Sequence, residues 1–427
     1  MVLRLISFLV SLLALSPSQQ AQTCLPEGLF VRTQMEIDMF PANFPGCIEI
    51  AGGMTIESTS DNPISDLKGL SQISLLGEHL EIRNNPALSS LTGLENVKEI
   101  GGRLTIAGND RLLSLDGLSG LTSVGNSVGI SSNNKLKNIE VLSQLKIIRG
   151  DLSISGNTQL NSLEGLNKVV EIEGNVLIRD NASILNFNGL QSLKSVGGNF
   201  LIQENSSLRD FSGLEKLENI SLDLIIEKND KLISLTGFSG LAMVGKYLLI
   251  VNNLLLQDIT ALNSLKAIDG LLQVYNNPLL PSLRGLDNID PQSVDNLAII
   301  QCPSLSDCAV QSICDFLKIN DQKHSITGNK FGCATRLQIL NECEREGANT
   351  NPGPNIIRIF PNPTPGILTT KGFDSVAEFL VSDVTGRTIR ANKLENGKID
   401  ISDLPAGIYL IELISEKRNF IQSIIKI

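Results

Sequence analysis

The chain has 427 residues, 42% of them hydrophobic but only 4% aromatic, with no Trp and a formal net charge of −10 at pH 7. That length allows more than one compact domain, whose interior must be built from Leu, Ile and Val. No Lys/Arg run stands out, so nucleic acid and anionic membrane surfaces are poor partners, both being held through concentrated positive charge.

Residues 1–21 read as a secretory signal peptide, with Arg4 at the charged start, Leu5 to Leu15 as the apolar stretch and Ala21 before the cleavage site. The stretch is shorter than the roughly 20 apolar residues that span a bilayer. Cys24 raises the question of lipidation, but Ala21-Gln22-Thr23 fits a lipoprotein box badly. Residues 22–53 are expected to form an N-terminal cap, with a short amphipathic helix over 33–44 leading to Cys47. Export permits disulfides, and Cys24–Cys47 is the expected pair.

Residues 54–306 carry a 24-residue repeat. An aliphatic or aromatic residue returns at Leu80, Leu104, Val128, Leu152, Val176, Phe200, Leu224, Leu248 and Leu272, and Ile or Val follows two places later in every case. Five places after the first residue stands Asn: Asn85, Asn109, Asn133, Asn157, Asn181, Asn205, Asn229, Asn253 and Asn277. A fixed period in this range marks a solenoid, whose repeats stack only on their neighbours. Counting the first residue as position 0, further apolar positions fall at 8, 11, 14, 17 and 20, as in Leu112, Leu115, Leu118, Leu121 and Val124. Positions 0 and 2 alternate as a strand does, and the three-residue spacing after them leaves no room for a helix of several turns. The fold class expected is all-β, a β-solenoid of about ten coils and roughly 45–50 Å in length. The asparagines are expected to be a buried structural ladder, each satisfying backbone groups that a corner leaves unpaired.

Residues 307–345 should form a closing cap with helices near 309–317 and 336–345. Cys308, Cys314, Cys333 and Cys343 are expected to form two bridges there, in a pairing the sequence leaves open. Cys302 falls where the repeating Asn would stand in the last coil and is expected to be a buried free thiol. A linker is expected over 346–356, from its Gly, Asn and Pro content. Beyond it, residues 357–427 read as a small β-sandwich with strands near 379–381, 399–401, 408–413 and 421–427.

Two resemblances follow from these residues. The Leu-x-Ile-x-x-Asn steps, the returns such as Leu91–Gly102 and the flanking cysteines resemble the receptor L-domain family. That implies a right-handed β-solenoid of leucine-rich-repeat type, with disulfide caps, and leaves the ligand unspecified. Phe360-Pro361-Asn362-Pro363-Thr364, Val381–Arg387 and Ile401–Tyr409 resemble in order the C-terminal sorting domain of the type IX secretion system. This resemblance implies Sec export followed by outer-membrane translocation, with the secretion machinery as a partner and a secreted or surface-attached product.

No catalytic constellation, metal spacing or cofactor motif is legible. His79 and His324 are the two histidines and lie far apart in the stack, so no base oriented by a third group is evident. Asp110 and Asp230 occupy the same repeat position, but 120 residues, or five repeats, apart. That is about 24 Å of stack, too far for paired-carboxylate chemistry. Asn181-Ala-Ser, Asn205-Ser-Ser and Asn219-Ile-Ser are formal glycosylation sequons, two of them on ladder asparagines. Position 1, between the two inward residues, should face solvent. It reads Thr55, Glu81, Thr105, Gly129, Ser153, then Leu177, Leu201, Ile225, Leu249, then Gln273. Four apolar residues in a row, with Val251 and Tyr275 beside them, form the candidate binding surface. The expected function is non-enzymatic recognition or adhesion toward a protein or glycan. The alternatives are self-association into a surface matrix and, behind it, a polysaccharide-active enzyme.

Overall fold

An aliphatic residue followed two places on by Ile puts both side chains on one side of a strand, and each coil repeats that arrangement one strand spacing further along. The computed structural model describes residues 22–319, 323–347, 358–362, 364–371, 378–383, 387–394, 397–414 and 419–427. The expected leader and the expected linker beyond Gly347 lie outside these residues. Thirteen parallel strands form one sheet, running in chain order from Leu29–Val31 through Leu104–Ala107 to His324–Thr327. Its register advances by one repeat per strand, so that Ile106, Ile130, Ile154 and Ile178 pair in succession.

A second side of the coils is a strand, two residues long at positions 19 and 20 from Leu75–Leu76 to Ala267–Ile268 and longer in the first cap. These strands stack into a five-stranded sheet ending at Ser123–Val124 and a six-stranded sheet from Ile147–Ile148 to Ala267–Ile268. The remaining side consists of turns and short 3-10 helices. Coils are joined there by a few backbone bonds such as Arg209 N–H to Leu185 O at 2.9 Å and Phe187 N–H to Ser212 O at 2.9 Å. The side chains at positions 0, 2, 8, 11, 14, 17 and 20 are sealed inside, as Val176, Ile178, Ile184, Phe187, Leu190, Leu193 and Val196 show. The scarce aromatics are concentrated: Phe187, Phe211 and Phe238 stack through successive coils with ring centroids 5.4 and 4.6 Å apart.

The asparagine ladder has one repeating geometry. Asn157 donates its backbone N–H to Asn181 Oδ1 at 3.2 Å, and its side-chain Nδ2 reaches the same oxygen at 3.3 Å, Ile130 O at 2.8 Å and Ser155 O at 3.1 Å. All nine asparagines are fully buried. The residue before each rung is left-handed, with φ between 50° and 58° at Asn84, Ser132, Asp180, Glu204, Lys228, Asn252, Asn276 and Gln301, and Gly at 108 and 156. A left-handed side-chain-bearing residue costs about 1–2 kcal/mol, which the several buried hydrogen bonds of each rung offset.

Both ends extend the stack further than the repeat count suggests. Leu29–Val31 and His324–Thr327 are strands of the long sheet, so the caps are themselves partial coils. Twelve spacings of about 4.8 Å make the sheet about 58 Å long, in place of the 45–50 Å expected. Ser58 Oγ donates to Asn85 Oδ1 at 2.8 Å and starts the ladder. At the other end Asn329 supplies a further rung, accepting from Cys302 N–H at 3.0 Å and donating to Ile299 O at 2.7 Å.

The first cap holds α1 (Gln34–Asn43), whose N-cap Thr33 and Glu36 form a reciprocal capping box. The closing cap holds α2 (Gln311–Ile319) and α3 (Arg336–Gly347). Disulfides join Cys24 to Cys47, Cys308 to Cys333 and Cys314 to Cys343, and Cys302 is a buried free thiol. Burial raises the Cys302 pKa above the ordinary thiol range, against the opposing pull of the backbone and side-chain amides of Asn277. The thiolate is the reactive form. Cys302 should therefore resist alkylation in the native protein and take up one equivalent on unfolding without reductant, as mass spectrometry would show. Native labelling would mean that the last coils open.

Among the described residues the tail comprises seven antiparallel strands in two sheets. The four expected are joined by Arg358–Phe360, Ile367–Lys371 and Thr388–Lys393. Ile359, Leu368, Phe379, Val381, Ile399, Ile411, Leu413 and Ile424 are buried in its core. Its motif residues have structural roles. Asn362 bonds Ser423 O and Ile425 N–H of the last strand at 2.8 Å each, Tyr409 donates its hydroxyl to Pro405 O at 2.8 Å, and Arg390 bridges Asp403 and Asp400 O.

Candidate interaction surface

The outward face of the long sheet consists of rows running along the stack. In the position 1 row, Leu177, Leu201, Ile225 and Leu249 pair in direct register, followed by Gln273. Each is half-buried by its neighbours. The adjoining position 3 row runs Ser155, Arg179, Gln203, Glu227, Val251, Tyr275 and Ile300. The apolar stripe therefore widens toward the closing end, where Val251 and Tyr275 flank it. Beside it lies a charged cluster in which Glu204 contacts Arg179 at 3.0 Å and Lys228 at 3.7 Å. Such exposed pairs add little stability.

Thr55 departs from the expected row. It is buried, at 6% exposure, because the His79 imidazole covers it with Nε2 3.1 Å from Thr55 Oγ1. At this end the face is charged, with Glu81 held by Arg103 at 2.5 Å. Between the two ends, Thr105, Ala107, Gly129, Ser131, Ser153 and Ser155 form a stretch of small side chains.

A further row, one residue before each strand, was not singled out by sequence reasoning. Asp151 N–H bonds Ser127 Oγ at 2.9 Å, Asn175 N–H bonds Asp151 Oδ1 at 2.7 Å, and Asn199 N–H bonds Asn175 Oδ1 at 2.9 Å. Asp223 N–H then bonds Asn199 Oδ1 at 3.1 Å, and Tyr247 N–H bonds Asp223 Oδ1 at 3.2 Å. This is a second ladder, outside the protein rather than within it. Its sequence signal is a short polar residue (Ser, Asp or Asn) at position 23 of consecutive repeats, which by itself resembles ordinary corner chemistry. Leu254, Leu255 and Leu279 were also passed over. They are exposed just past the asparagine corner, near Val251 and Tyr275 in the chain.

Other sequence candidates are not brought together. Asp110 is exposed and accepts from Asn134 Nδ2 at 2.7 Å, and Asp230 is exposed on a distant coil. Asn181 and Asn205 are buried rungs, which removes two sequons. Among the described residues, no group of three or more His, Cys, Asp or Glu side chains is placed to hold a metal ion, and no helix is long and apolar enough to cross a membrane.

Residues 146–237, within the solenoid, match the Receptor L domain family, and residues 358–427 match the Secretion system C-terminal sorting domain. Neither is a catalytic domain type. The chain thus joins a receptor L-domain solenoid to a type IX sorting tail, which engages the secretion machinery and directs export to the cell surface or extracellular space. No curated protein matches the chain.

Proposed function

We propose that the protein is a non-enzymatic recognition or adhesion protein of the cell surface, whose long sheet presents the apolar stripe to a ligand. The observation that carries this reading is the in-register row Leu177, Leu201, Ile225 and Leu249 on the outward face, flanked by Val251 and Tyr275. Outward residues of a solvated sheet are ordinarily polar, and a contiguous apolar patch on an exported protein marks an interaction site.

The double substitution Leu201→Glu/Ile225→Glu tests it. Both side chains lie outside the core, so the thermal unfolding midpoint should stay within a few degrees of the parent's. Attachment of the labelled full chain to cell and matrix surfaces should fall by at least about tenfold, because each lost anchor contact is worth about 1–3 kcal/mol. Unchanged attachment would remove the stripe as the binding surface. Light scattering on the parent distinguishes the self-associating alternative, for which the same substitutions abolish a concentration-dependent oligomer.

A further inference from the structure

We propose that the strand face binds a neutral, extended, β-linked polysaccharide lying along the solenoid axis, with Tyr247 stacking on one sugar ring. The inference rests on the recognition reading above and names its ligand class. Three observations carry it.

The first is translational repetition. The outer ladder and the apolar stripe run side by side and present comparable chemistry once per coil, at about 4.8 Å. A ligand that repeats at a similar distance meets the same surface several times over. An extended β-linked glycan advances by nearly one coil per sugar, whereas the surface of an ordinary globular protein has no such repeat.

The second is the unused hydrogen-bonding capacity of the outer ladder. From Asp151 onward its bonds run to Oδ1: Asn175 N–H and Nδ2 both reach Asp151 Oδ1, and Asn199 N–H and Nδ2 both reach Asn175 Oδ1. Among the described residues this leaves the second carboxylate oxygen of Asp151 and Asp223 and one amide hydrogen each on Asn175 and Asn199. A row that offers two donors between two acceptors suits hydroxyl groups, which serve as both. The two carboxylates, on a chain of net charge −10, oppose a polyanion, so the glycan is a neutral one.

The third is the ring that ends the ladder. Tyr247 is 45% exposed, and a Cβ added to Gly270 would lie 2.9 and 3.0 Å from two of its ring carbons. One side of the ring therefore rests on the backbone of the next coil, while nearly half of the residue's surface stays open to solvent. An aromatic surface held in this way offers a rigid apolar platform with little ordering cost on binding.

Titration of the full chain with β-1,4-linked gluco-, xylo- and manno-oligosaccharides of two, four and six residues tests the proposal, with polygalacturonate as the anionic comparison. The expected result is binding in at least one neutral series, with affinity rising more than tenfold from the disaccharide to the hexasaccharide. Tyr247→Ala should lose tenfold or more, Tyr247→Phe should keep most of the affinity, and both should unfold at the parent's temperature. Absence of binding by every neutral hexasaccharide, or affinity indifferent to chain length and to Tyr247→Ala, overturns the proposal. If attachment to surfaces still falls in Leu201→Glu/Ile225→Glu while no glycan binds, this inference alone fails and the partner is a protein. If attachment ignores the stripe substitutions as well, the recognition reading fails with it.

Discussion

Asn181→Leu is expected to cost about 2–6 kcal/mol of folding stability, although the new side chain is close in size and more apolar. The substitution strands the buried N–H of Asn157, which donated to Asn181 Oδ1, and takes one hydrogen bond each from the carbonyls of Ile154 and Arg179, which accepted from Nδ2 at 2.8 and 3.0 Å. A buried polar group left without a partner costs about 1–3 kcal/mol, and each of the two hydrogen bonds lost at the carbonyls adds about 0.5–1.5 kcal/mol. In a linear stack each coil is stabilised chiefly by its neighbours. The lesion should therefore also broaden the guanidinium transition or split it, as the two halves unfold separately. Asn134→Ala is the comparison: its amide bonds Asp110 on the exposed surface, and the change should fall within about 0.5 kcal/mol. A loss at Asn181 below about 1 kcal/mol would show the ladder to be incidental to stability.

Gly189→Val is expected to be among the most damaging single changes in the solenoid, at more than about 4 kcal/mol. Gly189 has φ +116°, a region that L side chains rarely adopt, and an added Cβ would lie 2.1 Å from both the carbonyl carbon and oxygen of Leu163 in the preceding coil. Relief requires the two coils to part, which breaks strand pairing on either side. Gly129 provides the contrast. It lies in the strand Val128–Ser131 with open space around its added Cβ, the nearest atoms being 3.9 Å away. Gly129→Ala should stabilise by about 0.5–1 kcal/mol, since glycine weakens a strand interior. Thermal unfolding of the two variants checks both signs, and a benign Gly189→Val would mean that coil separation is not held by backbone packing.

The period made the interior legible, because burial forces the same residue type to return at each inward position. Val141 and Ala261 show what periodicity leaves open. They stand at the register position occupied elsewhere by Gly189, and their coils turn instead through 3-10 helices at Glu140–Leu142 and Thr260–Ser264. One repeat length thus accommodates two turn geometries. The last rung was hidden because the thirteenth strand opens with His324 where an aliphatic residue would announce it, although Ile326 and Asn329 keep the spacing. The apolar stripe was visible as a departure from polar outward positions. The outer ladder was not, because Asp151, Asn175 and Asn199 have the composition of any solvated corner, and only their hydrogen bonds set them apart. Thr55 shows the limit of strand alternation, since a single neighbouring imidazole reverses its exposure.

The one-repeat register has a consequence for how such molecules vary in length. Excising residues 152–175 would bring Val176 beside Val128, Ile178 beside Ile130 and Asn181 beneath Asn133, recreating contacts of the kind already present. A gene can therefore gain or lose whole turns by duplication or deletion in units of 24 codons. The distance at which the molecule holds a bound partner can change in this way, while the stapled ends and the export signal remain untouched.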